Sequence, residues 1–302
     1  MIKFSRCTIG GATALRGDAM KFGTFITSLR PEKITANIRK AEEAGMESAW
    51  IGEHLILPVN YVSKYPYSPD GRFPAPPDVP FHDPMLALAF AAAVTSRIKL
   101  ATGIFVVPLR KPIETAKAVA SLDVLSNGRV IFGVGVGWFA EEFAAAGASF
   151  KDRALRTREY IELMKALWTQ DDPVYEGKTF SVRGVRFNPK PVQKPHPPIV
   201  VGGTSELAIK RAVRYGDGWY AVARSIDETR SLVAQLKAQE RAANRSKPVE
   251  ITLSLRTGHA LTVDEVEQLA ELGVERALVG LPLRAFNEDE LARFRDEVMA
   301  RV

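Results

Sequence analysis

The sequence predicts an α/β fold in which eight parallel strands, each followed by a helix, close into a (β/α)8 barrel. Short apolar runs alternate with longer segments of helical periodicity along almost the whole chain, a pattern typical of parallel strands joined by helical crossovers. Eight such units follow one another, the number that closes into this kind of barrel. The length of 302 residues fits a single domain of this size. An open doubly wound sheet is the alternative, but it seldom has eight uninterrupted units.

Each element is predicted from its local pattern. For example, the first helix begins near Pro31 and ends near Gly45, because proline suits the first helical turn and glycine the end. Between them Ile34 and Ile38 recur at helical spacing. The predicted strands are 21–26, 48–54, 99–107, 130–136, 198–201, 218–222, 250–255 and 276–281. The predicted helices are 31–45, 84–95, 113–125, 153–168, 205–215, 226–243, 263–272 and 287–298.

Two insertions interrupt this alternation. The first, Leu55 to Pro84, follows strand 2 and is rich in proline and aromatic residues. In a barrel this loop lies at the face where catalysis occurs, so we expect a stiff lid over a flat ligand. The second, Pro173 to Pro198, precedes strand 5 and contains a predicted hairpin through Val182. Decoration or an oligomer contact is an equal alternative for the second insertion.

Composition excludes several classes of protein. The net charge is +6, but lysine and arginine are scattered without a run of five, so we expect no nucleic-acid partner. The longest apolar run, Met85 to Val94, is too short to span a membrane. The single cysteine cannot form an internal disulfide. Residues 1–19 lack a secretory signal and form a predicted N-terminal tail, residues 20–302 form the barrel domain, and we expect a cytoplasmic protein.

Metal and Schiff-base chemistry are not indicated. His82, His196 and His259 are far apart in sequence and show no ligand spacing, and carboxylates are sparse at the strand ends, so we predict no metal site. No lysine lies in the body of a predicted strand, which argues against an aldolase.

The ends of strands 2 and 3 carry candidate catalytic and binding groups. Glu53 and His54 follow one another at the end of strand 2, where an acid and an imidazole can handle protons, although a structural ion pair is the alternative. On strand 3, Thr102 can donate a hydrogen bond to a ligand, and Gly103 indicates a bulge or a close ligand approach.

Strands 4 and 5 end in glycine-rich sequences. Gly133, Gly135 and Gly137 share one face of strand 4, and we expect a flat ligand in the space they leave, with tight interior packing as the alternative. After strand 5, the run Gly202, Gly203, Thr204 and Ser205 leads directly into a helix. Glycine backbone N–H groups and a helix N-terminus favour a bound phosphate, unless the hydroxyls serve only as caps.

Residues 20–298 resemble the bacterial luciferase-like flavin and deazaflavin oxidoreductases, especially the branch that uses the deazaflavin coenzyme F420. The resemblance rests on the combination of segments, since each alone is weak. The segments are 21–23, 42–45, 50–54, 99–103, 108–112, 125–129, 133–138, 153–159, 198–203 and 216–219.

The resemblance implies specific roles. It implies a non-prolyl cis peptide at Gly103–Ile104 beneath the cofactor ring, with His54 near the reactive edge of that ring. It further implies that Gly135, Val136, Gly137 and Trp138 border the cofactor and that Gly202 to Ser205 hold its phosphate. Trp138 stands where F420-dependent sugar-phosphate dehydrogenases have a glutamate, which argues against that activity. His54 or Glu141 is then the candidate proton donor.

These observations favour an F420-dependent oxidoreductase that transfers a hydride between the deazaflavin and a small organic substrate. An FMN-dependent monooxygenase that uses O2 is the first alternative, because both cofactors share a ring and a phosphate. A non-catalytic flavin- or deazaflavin-binding protein is the second. A homodimer is the expected assembly, and the sequence does not identify the substrate.

Overall fold

The computed structural model describes residues 20–26, 31–256, 259–280 and 287–302, so the predicted tail and part of the predicted last strand lie outside the described residues. Nine strands form the main sheet and two form a hairpin. In chain order the strands are β1 (Lys21–Phe25), β2 (Ser48–Ile51), β3 (Lys99–Thr102), β4 (Phe105–Val106), β5 (Val130–Gly135), β6 (Tyr175–Glu176), β7 (Ser181–Val182), β8 (Ile199–Gly202), β9 (Gly218–Ala223), β10 (Glu250–Leu255) and β11 (Arg276–Val279).

The main sheet closes on itself as a parallel barrel. Its order is β3-β2-β1-β11-β10-β9-β8-β5-β4, and β3 also pairs with β5. Because β3 and β4 both lie beside β5, they are two halves of one strand, and the barrel has eight strand positions. The two halves meet at a cis peptide between Gly103 and Ile104, as the resemblance implied. The predicted (β/α)8 barrel is confirmed.

Helices follow the strands of the barrel. They are α1 (Pro31–Glu43), α2 (Pro84–Ala92), α3 (Pro112–Leu125), α4 (Ala140–Ala145), α5 (Arg153–Thr169), α6 (Glu206–Tyr215), α7 (Ile226–Ala242), α8 (Val263–Leu272) and α9 (Glu288–Glu297). The short helix α4 was not predicted, and β2 ends at Ile51 instead of continuing to His54. No helix among the described residues is long and apolar enough to cross a membrane.

Alternating side chains of the strands divide the core into two layers. Inside the barrel, Trp50, Ile131, Tyr220 and Leu278 pack against one another. On the outer side, residues such as Phe132 pack against the helices. The interior layer brings residues of distant strands into contact just below the carboxyl ends of the strands, where the site is expected.

The glycine face of β5 points into the barrel, and protein atoms fill the space it leaves. A Cβ at Gly133 would lie 1.9 Å from the carbonyl oxygen of Thr102, and one at Gly135 would lie 2.0 Å from Cδ1 of Ile104. A Cβ at Gly202 would lie 2.7 Å from Cγ2 of the same isoleucine. These contacts favour tight interior packing over a flat ligand in the space beside the glycines.

Substitution of Gly135 tests this packing. We expect Gly135→Ala to lower the free energy of unfolding by about 1–3 kcal/mol, the usual cost of an overpacked core. In the background of Ile104→Ala the same change should cost at least about 1 kcal/mol less, because the clashing methyl group is gone. Urea unfolding of the two single variants and the double variant gives this coupling.

Gly52→Ala is the matched control. The Cβ it adds would lie 3.6 Å from the nearest atom, the carbonyl oxygen of Gly103, which is an ordinary contact. Gly52→Ala should change the free energy of unfolding by no more than about 1 kcal/mol. If Gly135→Ala lowered the free energy of unfolding equally in the wild-type and Ile104→Ala backgrounds, this result would contradict the packing account.

Candidate active site

His54 lies just beyond the carboxyl end of β2 and is held by a buried carboxylate. Its Nδ1 is 3.1 Å from Oε2 of Glu142, which lies on helix α4 after β5. The side chains of His54 and Glu142 are 8% and 2% exposed. With Nδ1 bound to the carboxylate, Nε2 is the ring nitrogen left for a ligand.

Helix α4 also fixes the first insertion, which we call the lid (residues 52–83). Oε1 of Glu142 accepts hydrogen bonds from the backbone N–H groups of Leu55 and Ile56, at 2.6 and 3.4 Å. The neighbouring Glu141 accepts from the N–H groups of Val62 and Ser63, at 2.6 and 3.1 Å. The lid has no helix or strand of its own, so these bonds set its path.

Aromatic rings of the lid and of the chain after β5 surround His54. Phe73 lies with its ring centroid 4.7 Å from the imidazole, and Phe81 at 5.3 Å, both edge-on. Trp138 lies 6.2 Å away. The ring cluster consists of Tyr61, Tyr65, Tyr67, Phe73, Phe81, Trp138 and Phe139. The expected lid is present, and it encloses the imidazole in an apolar environment.

Glu53 forms structural contacts that do not favour its expected acid/base role. Its fully buried carboxylate pairs with Arg110 and accepts a hydrogen bond from the N–H of Val106 at 2.5 Å. Arg110 also pairs with Asp83, at 3.0 Å, where helix α2 begins. Glu53 and His54 are neighbours in sequence but have different partners.

Thr102 is also occupied within the protein. Its hydroxyl donates a hydrogen bond of 2.6 Å to the carbonyl of Gly133, and the residue is buried. A hydroxyl has one proton to donate, so this bond does not favour the expected hydrogen bond from Thr102 to a ligand.

The residues at the end of β5 and just after it lie in two different parts of the site. Gly135 and Val136 line a pocket between the barrel and helices α5 and α6, together with Gly202, Arg158 and Arg211. Gly137 has a φ of +77°, and its carbonyl accepts a hydrogen bond from Arg153. Trp138 instead belongs to the ring cluster beside His54.

The turn after β8 is shaped as an anion site. Gly203 adopts a φ of +117°, and its carbonyl accepts a hydrogen bond of 2.7 Å from the Trp219 indole. Ser205 caps α6, because its hydroxyl accepts from the N–H of Ala208 at 3.2 Å. Thr204 completes the turn. The cap uses the acceptor of Ser205 and leaves the first N–H groups of the helix pointing outward.

Arg211, which lines the same pocket as Gly202, adds positive charge beside this turn. Burial lowers the pKa of Arg211 on α6, and the positive charge of Arg153 lowers it further. Neither arginine has a carboxylate within ion-pair distance among the residues that the structure describes. A half-buried guanidinium without an acidic partner favours a bound anion.

Glu141 is an anion, which makes it a poor proton donor. Burial raises its pKa, but hydrogen bonds from the side chain of Ser63 and from the backbone N–H groups of Val62 and Ser63 outweigh this effect and lower the pKa to about 2. This low pKa does not favour the expectation that Glu141 donates a proton. The described ranges contain no group of three or more His, Cys, Asp or Glu side chains that could hold a metal ion.

Sequence reasoning did not identify Glu142, Arg153 or Arg211. Glu142 is one residue from the proposed Glu141, and only the start of helix α4 at Ala140 decides which of the two faces His54. The arginines lie on α5 and α6, and their proximity depends on the packing of these helices.

The sequence of this protein matches a known protein family. The family model for the luciferase-like monooxygenases matches residues 19–301. The chain belongs to the luciferase-like monooxygenase family. Members of this luciferase-like family are oxidoreductases and monooxygenases.

Individual luciferase-like relatives use different cofactors. An uncharacterized protein of Mycobacterium tuberculosis is 35% identical over 94% of this chain and 99% of its own length. The F420-dependent glucose-6-phosphate dehydrogenase of Amycolatopsis mediterranei is 30% identical over 81% of this chain and 71% of its own. The FMNH2-dependent dimethylsulfone monooxygenase of Pseudomonas putida is 32% identical over 50% of this chain and 42% of its own length.

A solved structure has the same luciferase-like barrel. The coenzyme F420-dependent tetrahydromethanopterin reductase of Methanopyrus kandleri superposes with a TM-score of 0.73 over 94% of this chain and 99% of that one. At 20% sequence identity this likeness shows the fold alone.

The depressed pKa of Glu141 predicts how pH affects the stability of the fold. A carboxylate with a folded-state pKa of about 2 and an ordinary value of 4.5 stabilises the protein above pH 4.5, and this contribution is lost as pH falls from 4.5 towards 2. We therefore expect Glu141→Gln to lower the melting temperature at pH 7, with the difference shrinking below pH 4.5. Thermal unfolding of both proteins, followed by circular dichroism at a series of pH values, measures this difference in melting temperature.

Glu114→Gln is the matched control. Glu114 is exposed and lies 3.8 Å from the Lys111 ammonium, so its removal should leave the melting temperature almost unchanged at every pH. A melting-temperature difference for Glu141→Gln that is absent at pH 7, or that does not shrink in acid, would contradict the role of Glu141 in holding the lid.

Proposed function

We propose that this protein is an F420-dependent oxidoreductase that transfers a hydride between the deazaflavin and a small organic substrate. The observation that carries the proposal is His54, fixed by Glu142 and enclosed by the ring cluster at the barrel mouth. An imidazole with one nitrogen held and the other free is suited to giving or taking the proton that accompanies hydride transfer.

The residues after β8 fit the phosphate of such a cofactor. The first N–H groups of α6 face this turn, and Gly203, whose own N–H donates to the carbonyl of Tyr220, has no side chain to obstruct a ligand. Arg211, with Arg153 beside it, supplies charge that no acid of the described chain neutralises. These groups would hold the phosphate, and Ile104, packed against Gly135 and Gly202, would lie beneath the ring.

When bound, F420 would supply the hydride chemistry, and the protein would supply binding, orientation and proton handling. Glu142 keeps the imidazole in one orientation and favours the proton on Nδ1. The ring cluster excludes water from the neighbourhood of Nε2, which limits side reactions. Glu53 and Arg110 contribute indirectly by fixing the chain on both sides of His54.

Two observations favour F420 over FMN. The F420-dependent relative matches over four fifths of this chain, whereas the FMNH2-dependent relative matches over half. The net charge of +6 also suits the acidic tail of F420. An FMN-dependent monooxygenase that uses O2 remains the second candidate, supported by the relative from Pseudomonas putida.

Paired fluorescence titrations with F420 and with FMN test the proposal. We expect F420 to bind at least about 10-fold more tightly than FMN. A preference for FMN would replace the proposal with the monooxygenase, and binding of neither cofactor would overturn both.

Arg211→Ala tests the phosphate site within the same titration. Removing this guanidinium should weaken cofactor binding about 10- to 100-fold, as expected for a charge-assisted hydrogen bond. Arg214→Ala is the control, because Arg214 is an exposed arginine on the same helix and should leave the affinity unchanged. If Arg211→Ala and Arg214→Ala bound the cofactor equally tightly, Arg211 would not be part of the phosphate site.

A further inference from the structure

A second polar cluster lies inside the barrel mouth, separate from the pocket between α5 and α6. Thr252 and Ser254 lie on the inward face of strand β10, and Arg256 follows directly after the strand ends at Leu255. Tyr220 of β9 packs in the barrel interior, and Tyr67 of the lid packs against the same interior group. The Arg256 guanidinium lies 5.8 Å from the centroid of the Tyr67 ring.

One charged group of this cluster has a buried atom without a partner. Ser254 is fully buried, and its hydroxyl faces the Tyr220 phenol closely enough to lower the pKa of that phenol. Nε of Arg256 is buried and unpaired, and no carboxylate among the described residues forms an ion pair with Arg256. Buried donors and cations are costly unless a partner satisfies them, so this atom indicates a missing ligand.

The two phenols nearby are neutral hydrogen-bond donors. Burial raises the pKa of Tyr67 to about 12, and Tyr65 raises it while Arg256 lowers it. Burial likewise raises the pKa of Tyr220. Near neutral pH the cluster therefore carries the positive charge of Arg256 and no negative charge from these tyrosines.

The ring cluster connects Arg256 with His54. Tyr67 contacts Tyr65 at 5.5 Å between ring centroids, and Tyr65 contacts Phe73 at 5.2 Å. Phe73 in turn lies edge-on to His54. Arg256 and His54 therefore stand at the two ends of one chain of ring contacts.

We propose that Arg256 binds the carboxylate of a planar, carboxylate-bearing substrate and thereby places the rest of that molecule against the ring cluster and His54. The guanidinium offers two parallel N–H groups to a carboxylate, and Ser254 and the phenols add further donors. This assignment rests on the proposed function, because it concerns the substrate of the same site. The cofactor phosphate is assigned elsewhere, to Gly202–Ser205 and Arg211.

Benzoate and benzamide are suitable probes, because they share a planar shape and differ in charge. Binding is followed by tryptophan fluorescence, since Trp138 lies in the ring cluster. The wild-type protein should bind benzoate at least about 10-fold more tightly than benzamide. Arg256→Gln should abolish this preference while leaving the affinities for F420 and FMN unchanged. Arg256→Lys, which keeps the charge, should retain part of the preference and serves if the glutamine variant does not fold.

Arg224→Gln is the matched control. Arg224 follows β9 at the same face of the barrel, is exposed and pairs with Glu228 at 3.1 Å, so its loss should not change the preference for benzoate.

Two results would overturn the proposal. One is a wild-type protein that does not prefer benzoate. The other is an Arg256→Gln variant that keeps the wild-type preference, and if this variant also loses cofactor affinity, Arg256 is assigned to the cofactor. Failure of the proposed function is seen separately, as a wild-type protein that binds neither F420 nor FMN.

Discussion

The arrangement of the site depends on one buried carboxylate, that of Glu142. It accepts from Nδ1 of His54 and from two backbone N–H groups at the start of the lid, Leu55 and Ile56. A buried charge of this kind is stable only when its hydrogen bonds are satisfied, so the lid, the imidazole and helix α4 are fixed together. Removing the carboxylate would therefore loosen the lid and the imidazole at once.

The fold could be predicted because its signal is local and repeated. Eight apolar runs alternating with helical segments define the barrel, and proline and glycine mark many of the ends. The same reasoning placed Glu53 beside His54 as a catalytic pair, although β2 ends at Ile51 and the two side chains bind different partners. Whether an acid at a strand end faces the substrate or a neighbouring arginine such as Arg110 depends on tertiary packing, which adjacency in sequence does not report.

The remaining site residues could not be predicted because they meet only through the closed sheet. The glycines of β5 make room for Ile104 across a cis peptide and not for a ligand, a distinction that the spacing of glycines cannot make. Arg211 and Arg256 are candidate binding residues because they have no acidic partner among the described residues. Which residues surround an arginine in the folded chain cannot be read from the sequence. The resemblance to the luciferase-like family pointed to the turn proposed for the phosphate, but not to these charges.

The central claim is that Glu142 holds His54 through Nδ1 and leaves Nε2 for the substrate. Proton-detected NMR of protein labelled with 15N-histidine measures this directly, and His54→Ala assigns the signal among the four histidines. We predict that Nδ1 of His54 carries a proton near neutral pH, and that this proton signal is lost or strongly shifted in Glu142→Ala. An imidazole protonated only on Nε2, or a signal unchanged in Glu142→Ala, would contradict the account.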